Sequence, residues 1–254
     1  MKVTILGCGS STGVPRVGND WGDCDPEEPR NRRSRCSISV ETSETRVLVD
    51  TAPDLRQQLL DARIDNLDAV IYTHSHADQT HGIDDLRVLF LRKRTRLPVF
   101  GDRETLGILG RRFDYIFERP PGSPYPPIAE TFEIEPTVPF KIDNMEATAF
   151  EQDHGTMASL GLRFGSVGYS NDVVALDERA FEVLAGIDVW IVDALQRKPH
   201  PTHAHLDLTL EWIARLKPRR AVLTNMHVSM DYQTLCRELP EGVEPAYDGM
   251  VIEV

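Results

Sequence analysis

Long apolar stretches are missing from the sequence. No apolar run approaches the roughly 20 residues that a membrane-spanning helix needs. Residues 1–7 carry neither the apolar core nor the small-residue cleavage site of a secretory signal. We therefore expect a cytoplasmic protein with no membrane partner.

Cysteine is scarce and poorly spaced for a structural metal site. The four cysteines include no pair at the CxxC spacing that closed four-ligand zinc sites use. Because disulfides are rare in the cytoplasm, we expect buried, reduced thiols at Cys8, Cys24, Cys36 and Cys236.

Basic residues are outnumbered by acidic ones. Lys and Arg total 28 against 40 Asp and Glu, and the formal net charge is −12. Binding along the phosphates of nucleic acid needs a surplus of cations, so the charge argues against bulk nucleic acid as a partner. An acidic total also fits a site in which carboxylates bind metal cations.

The remaining composition indicates one folded domain. Apolar residues make up 41% and charged residues 27% of the 254, as in ordinary globular proteins. Strand and helix patterns alternate through both halves without repeats, which predicts an α/β fold with helices outside the sheets and a single domain over residues 1–254. The segment 119–127 holds five prolines and can continue neither a helix nor a sheet ladder. We interpret it as a loop over a site or as a homodimer contact.

The strongest motif follows a predicted buried strand at 67–72. It reads THSHADQTHG over residues 73–82. Side chains at i and i+2 of extended backbone point the same way, so His74 and His76 can converge on one ion. The turn into the next helix brings Asp78 alongside. Imidazole suits a borderline cation, and a carboxylate suits a harder one next to it.

Other candidate ligands also follow predicted strands. His154, Asp172 and His227 each come after an apolar segment. Side chains offered from several strand ends meet at the rim of a sheet. The sequence therefore predicts a metal site at such a rim. It assigns no role to His200 or His205.

These motifs resemble those of the metallo-β-lactamase superfamily over nearly the whole chain. HxHxDx after a strand, a Gly-flanked later His, a strand-end Asp and a final His carry the resemblance. The glycine-rich opening GCGSSTGVP at 7–15 and LVDTA at 48–52 look like its phosphodiesterase branch, which holds ribonuclease Z. The run HPTH at 200–203 looks closest to the phosphoribosyl cyclic phosphate phosphodiesterases. The resemblance implies a four-layer αββα sandwich.

The resemblance also implies a ligand set for two divalent ions, Zn²⁺ or Mn²⁺. The first ion would be held by His74, His76 and His154. The second would be held by Asp78 and His227, and Asp172 would bridge both ions. Asp50 would orient ligands through hydrogen bonds.

Two features depart from the family pattern. Gln79 stands where the pattern continues with His. Its carbonyl oxygen is a weaker ligand than imidazole, so the second ion would bind less tightly, be a harder ion such as Mn²⁺, or lose this ligand. Only Cys24 lies in the N-terminal insertion where relatives can carry a cysteine-rich zinc site, so we expect no such site here.

The implied chemistry is phosphodiester hydrolysis. Two cations about 3.5–4 Å apart would share a hydroxide and direct it at phosphorus. Asp78 and His203 are the candidate catalytic residues, with His203 as general acid for the leaving group. The loop residues Ser10, Ser11 and Thr12 are candidate phosphate ligands.

Several functions share these ligands. The leading hypothesis is a phosphodiesterase acting on a small cyclic phosphate or nucleotide-like ester. A ribonuclease Z-like tRNA 3′ processing enzyme is the enzymatic alternative, and a nucleotide-binding protein with a weakened second metal site is the non-enzymatic one. A β-lactamase or thioester hydrolase would keep the same ligands, although the serine-rich opening loop argues against it.

Overall fold

The computed structural model describes residues 1–254 as alternating strands and helices. The strands are β1 (Lys2–Gly7), β2 (Ser37–Glu41), β3 (Arg46–Val49), β4 (Ala69–Ile71), β5 (Leu97–Gly101), β6 (Ala129–Glu133), β7 (Pro139–Ile142), β8 (Met145–Asp153), β9 (Ala158–Phe164), β10 (Val167–Ser170), β11 (Val189–Asp193), β12 (Arg220–Thr224), β13 (Val243–Pro245) and β14 (Val251–Glu253). The helices are α1 (Leu55–Asp61), α2 (Ala77–Thr80), α3 (Leu86–Lys93), α4 (Arg103–Arg112), α5 (Asp114–Phe117), α6 (Glu178–Leu184), α7 (Leu206–Leu216) and α8 (Tyr232–Glu238).

The strands form two seven-stranded sheets. The first has the order β14-β1-β2-β3-β4-β5-β6, and the second has the order β13-β12-β11-β10-β9-β8-β7. The first half of the chain builds the first sheet, and the C-terminal strand β14 returns to pair antiparallel with β1. Each sheet is mixed: β3 to β6 are parallel in the first, and β10 to β13 are parallel in the second.

The two sheets pack face to face, and helices cover their outer sides. A cluster of 43 buried residues fills the space between the sheets and continues under α6, α7 and α8. A second cluster of 17 buried residues lies beneath α1, α3, α4 and α5 on the first sheet. This arrangement has four layers in the order αββα, so the fold class predicted from the sequence is confirmed.

The alternation of side chains along a strand explains why both faces of the sheets are apolar. Val47 and Val49 of β3 belong to the cluster between the sheets, whereas Leu48 belongs to the helix-covered cluster. Neighbouring side chains of a strand point to opposite faces, and a sheet covered on both sides needs apolar residues at every position.

None of the helices has the length and apolarity needed to cross a membrane.

Three strand ends turn sharply at one edge of the sandwich. Asp50 follows β3, Asp172 follows β10 and Asn225 follows β12, with φ of 62°, 54° and 60°. Asp and Asn are the non-glycine residues that adopt this left-handed region most readily. The turns place the three polar side chains at the carboxyl ends of parallel strands, where the segment 73–82 also begins.

The proline-rich segment 119–127 connects α5 to the edge strand β6. Its hydrogen bonds are local: Arg119 Nε donates to the Ser123 carbonyl at 2.8 Å, and Ser123 N donates to the Pro120 carbonyl at 3.0 Å. Tyr125 in this segment is 68% exposed. Its position over a site or in a dimer contact stays a prediction, as does the extent of the single domain.

A glycine on β9 provides a test of the packing between the sheets. Gly161 lies opposite Phe150 of β8, and a Cβ at this position would overlap the buried Phe150 ring. Because the ring is enclosed, Gly161→Ala is expected to lower the free energy of unfolding by about 1–3 kcal/mol, as measured by urea denaturation.

Gly110 in α4 is the matched control for that substitution. A Cβ there meets nothing within 4 Å, so Gly110→Ala is expected to stabilise the helix by about 0.5–1 kcal/mol. Equal changes in unfolding free energy at both positions would contradict the described packing.

Candidate metal centre

Three imidazole rings meet at the site. His74 Nε2 lies 3.0 Å from His76 Nδ1, and His154 Nε2 lies 3.3 Å from the same His76 nitrogen. The ring planes are inclined by 69–76° to one another. Ligands of a tetrahedral ion with metal–nitrogen bonds of about 2.0–2.1 Å stand about 3.3 Å apart. The spacing of the three nitrogens therefore fits one bound cation.

Hydrogen bonds on the far side of two rings fix which nitrogen faces the others. His154 Nδ1 is 2.8 Å from the Thr202 carbonyl oxygen, so Nδ1 carries the proton and donates. His74 Nδ1 lies 3.0 Å from Thr73 Oγ1, which donates to Asp50 Oδ2 at 2.8 Å. The Nε2 atoms of His74 and His154 are thereby left as free acceptors.

Burial keeps these rings neutral. It lowers the pKa of His74 well below its ordinary value, and the nearby His154, His76 and His203 act in the same direction. Burial also lowers the pKa of His154 to about 4, although its bond to Thr202 opposes the shift. A neutral imidazole is the form that binds a metal, so the two rings are ready as ligands at pH 7.

A buried carboxylate lies beside the imidazoles. Asp172 Oδ1 is 3.8 Å from His154 Nε2 and 3.8 Å from His203 Nδ1. Burial raises the pKa of Asp172 well above its ordinary value, and the charge of Asp78 adds to this effect. A cation at the imidazole cluster would offset that cost and keep the carboxylate ionised.

The donor set thus fits one divalent ion. His74, His76 and His154 form one group whose ligand atoms lie within 4.8 Å of one another, and His154, Asp172 and His203 form another. Gln79 Oε1 is buried without a hydrogen-bond partner, whereas Gln79 Nε2 donates to Asp172 Oδ2 at 3.0 Å.

The structure does not bring the predicted second set together. Asp78 lies in the first turn of α2 but belongs to neither group with ligand spacing. Burial raises the pKa of Asp78, while the charges of His76, His203 and Arg35 oppose the shift. Asp78 therefore lies close to the imidazole cluster, but its carboxylate is not at ligand spacing from the grouped residues.

The structure gives His227 neighbours outside the imidazole cluster, and its role as a ligand of a second ion stays a prediction. Its Nε2 lies 3.5 Å from Arg16 Nη1, and its Nδ1 lies 3.1 Å from Ser229 Oγ. The ring lines a separate cavity of about 390 Å³ that holds no other histidine. The residue after β12 that reaches the cluster is Asn225, whose Nδ2 is 3.1 Å from His203 Nδ1. The chain turns at Asn225, so a residue two positions later points away.

His203 pairs with a carboxylate that sequence reasoning missed. Asp193, fully buried at the end of β11, has its Oδ2 2.9 Å from His203 Nδ1. Burial lowers the pKa of His203, but the bond to Asp193 and the charges of Asp193, Asp172 and Asp78 outweigh it and raise the pKa to about 9. The available signal was the position of Asp193 directly at a strand end, like Asp50 and Asp172.

The glycine-rich opening loop is only partly available for phosphate. Ser10 N donates to the Met226 carbonyl oxygen at 3.3 Å, and Ser10 Oγ is 3.4 Å from Thr12 Oγ1. Thr12 lines a cavity of about 490 Å³ with Arg32 and Arg35, whereas Ser10 and Ser11 do not. The Ser10 N–H is therefore already engaged, and the predicted roles of Ser10, Ser11 and Thr12 as phosphate ligands stay predictions.

Thr73 offers a test of how His74 is held. In Thr73→Val the hydroxyl that links His74 to Asp50 is lost without a change in shape. The affinity for Zn²⁺, measured by competition with a chelator, is expected to fall about 10–100-fold.

Thr105→Val is the control for that variant. Thr105 is also a buried threonine whose Oγ1 donates to an aspartate, here Asp102 Oδ2 at 2.9 Å, at the start of α4. Its substitution is expected to lower stability and leave Zn²⁺ affinity unchanged. Equal losses of affinity in both variants would contradict the role of Thr73.

Comparisons with known proteins place this fold and site in a family. The sequence profile of the beta-lactamase superfamily domain matches residues 45–226. The crystal structure of a diphosphatase of the PhnP family is 32% identical, covers 100% of this chain and 97% of that one, and superposes with a TM-score of 0.92. Human tRNase Z, short form, covers 100% and 99% with a TM-score of 0.69, but at 18% identity it shows only the shared fold.

A curated relative is considerably longer than this chain. The octanoyltransferase of Porphyromonas gingivalis is 31% identical over 255 residues, which is 98% of this chain and 51% of that protein. This chain thus spans about half the length of the relative. The profile match and the similarity to the diphosphatase agree with the resemblance to the phosphodiesterase branch. The chain belongs to the beta-lactamase superfamily.

Proposed function

We propose that the protein hydrolyses a small phosphodiester, either a cyclic phosphate or a nucleotide-like ester. The observation that carries this proposal is the proton donor beside the metal ligands. His203 Nδ1 lies 3.8 Å from Asp172 Oδ1 on one side and 2.9 Å from Asp193 Oδ2 on the other. Hydrolysis of an ester with a poor leaving group needs such a donor.

The buried ligands would hold the metal at the base of an open site. His74 and His154 are buried, whereas His76 is exposed and marks the opening to solvent. A divalent ion bound there supplies a Lewis acid for the phosphoryl oxygens and lowers the pKa of water. Burial keeps His74 and His154 neutral, and Thr73, Asp50 and Thr202 orient their rings.

His203 is well arranged to give up a proton. Its Nδ1 is engaged by Asp193, so Nε2 is the nitrogen available to the leaving group. Asp193 is fixed in turn, because its Oδ2 also accepts a hydrogen bond from Val173 N at 3.2 Å. A charged His203 at pH 7 is the form that a general acid needs.

Charge supports a small substrate rather than a nucleic acid. A cavity of about 490 Å³ beside Thr12 has the usual size of a small-molecule site, and its lining includes none of the metal ligands. Arg35 in its wall pairs with Asp54 at 2.8 Å and is near enough to Asp78 to affect its pKa. We propose that Thr12 and the arginines here contact the part of the substrate that does not react. The net charge of −12 is unfavourable for gripping a tRNA.

A substrate panel tests this proposal. Protein loaded with Zn²⁺ or Mn²⁺ is expected to hydrolyse bis(p-nitrophenyl) phosphate, a 2′,3′-cyclic nucleotide and a nucleotide-like diester. The panel also includes a precursor tRNA, because of the tRNase Z fold, and an octanoyl thioester, because of the curated relative's name. Turnover of the tRNA alone or of the thioester alone would contradict the proposal.

The leaving group tests the role of His203. His203→Gln is expected to lower kcat about 10²–10⁴-fold for a nucleoside leaving group and much less for p-nitrophenolate, which leaves without a proton. The proton is present below the pKa of His203 and lost above it, so the wild-type rate falls as pH rises to about 9. A cation beside Asp172 would lower the pKa of His203, so the fall in rate would begin at a lower pH. The His203→Gln variant is expected to show no such fall.

His200→Gln is the control for that variant. His200 lies on the same loop, with its ring centroid 5.2 Å from that of His203, but bonds only to Thr202. Its substitution is expected to leave the leaving-group dependence intact. A loss for His203→Gln that is the same for every leaving group would show that His203 is not the proton donor.

A further inference from the structure

The carboxylate that would bridge two ions has one oxygen already in use. Asp172 Oδ1 faces His154 and His203, each at 3.8 Å. Asp172 Oδ2 accepts hydrogen bonds from two amides, Gln79 Nε2 at 3.0 Å and Asn171 Nδ2. One oxygen is therefore free to join the imidazole cluster, and the other is surrounded by donors that a cation would repel.

The side-chain amides of Gln79 and Asn225 occupy positions at which a second ion would need strong ligands. Gln79 is 1% exposed and contacts Asp172, and Asn225 is 2% exposed and contacts His203. An amide oxygen is a poor ligand for Zn²⁺ compared with imidazole or a carboxylate. Gln79 Oε1 is the one unpartnered atom that these two amides offer.

The remaining candidates do not form a second set. Both groups with ligand spacing contain His154, so they overlap at the same ion. Asp78 belongs to neither group. His227 faces Arg16, whose guanidinium would repel a cation.

We propose that the protein holds one transition-metal ion, on His74, His76, His154 and Asp172, and no second one. The adjoining position is filled by protein side chains: Gln79 is hydrogen-bonded to Asp172, Asp193 is hydrogen-bonded to His203, and the Asn225 amide lies against the His203 ring. This inference concerns the number of ions and does not depend on which ester is hydrolysed. A second ion is expected to bind at least about 100-fold more weakly than the first, since loss of an interaction around a metal ligand already costs about 10–100-fold.

Metal content tests the inference directly. The protein is saturated with Zn²⁺, and separately with Mn²⁺, then passed through a desalting column and analysed by mass spectrometry for metal per chain. One ion per chain is expected in both cases. Two retained ions of either metal would overturn the inference.

Variants test whether the two amides are the cause. The double variant Gln79→His and Asn225→His is expected to retain two Zn²⁺ ions, and histidine tolerates the left-handed backbone at position 225. A folded double variant, checked by circular dichroism, that still retains one ion would overturn the explanation.

His227→Ala is the matched control, and it is expected to keep one ion because His227 lies outside the cluster. A fall in metal content in this variant would overturn the inference. Metal content is measured without turnover, so its outcome is separable from that of the substrate panel. A protein with one ion and no phosphodiesterase activity refutes the proposed function and leaves this inference standing.

Discussion

Three imidazoles whose ring nitrogens face one another cannot satisfy those nitrogens by hydrogen bonds among themselves. His76 Nδ1 lies 3.0 Å from His74 Nε2 and 3.3 Å from His154 Nε2. The ring protons of His74 and His154 are on their Nδ1 atoms, which donate to Thr73 and Thr202, so no proton is left to join the facing Nε2 atoms. A buried carboxylate with a raised pKa completes the cluster. A bound cation would accept the lone pairs of the imidazole nitrogens and offset the charge of the buried Asp172 carboxylate. The rest of the fold holds these imidazoles and the carboxylate in position.

The sandwich supplies the necessary rigidity. Parallel strands β3–β4 and β10–β12 bring their carboxyl ends to one edge, and left-handed turns at Asp50, Asp172 and Asn225 direct polar side chains inward. Such conformations cost of order 1 kcal/mol or more and persist where the surroundings determine them. Buried apolar residues on both faces of each sheet provide those surroundings. Three of the nine non-glycine residues with positive φ therefore lie at the strand ends that carry the site.

The sequence predicted the features that depend on local order. The four-layer fold, the HxHxD segment and the placement of His154 and Asp172 near it follow from strand periodicity and from motifs that resemble a family. The position of Asp193 at a strand end marked it as a candidate, but its pairing with His203 depends on the packing of a loop against β11, which the sequence does not show. The neighbours of His227 could not be predicted, because the sequence does not show at which residue the chain turns. β12 ends at Thr224, and the next residue, Asn225, is the one that points inward.

We expect the imidazole cluster to hold one metal ion through defined nitrogen atoms. A crystal structure of the zinc-loaded protein, with an anomalous difference map at the zinc edge, tests it most directly. We expect one strong peak within about 2.1 Å of His74 Nε2, His76 Nδ1 and His154 Nε2, with Asp172 beside it. A strong peak at His227, or coordination through the opposite nitrogens of His74 and His154, would contradict it.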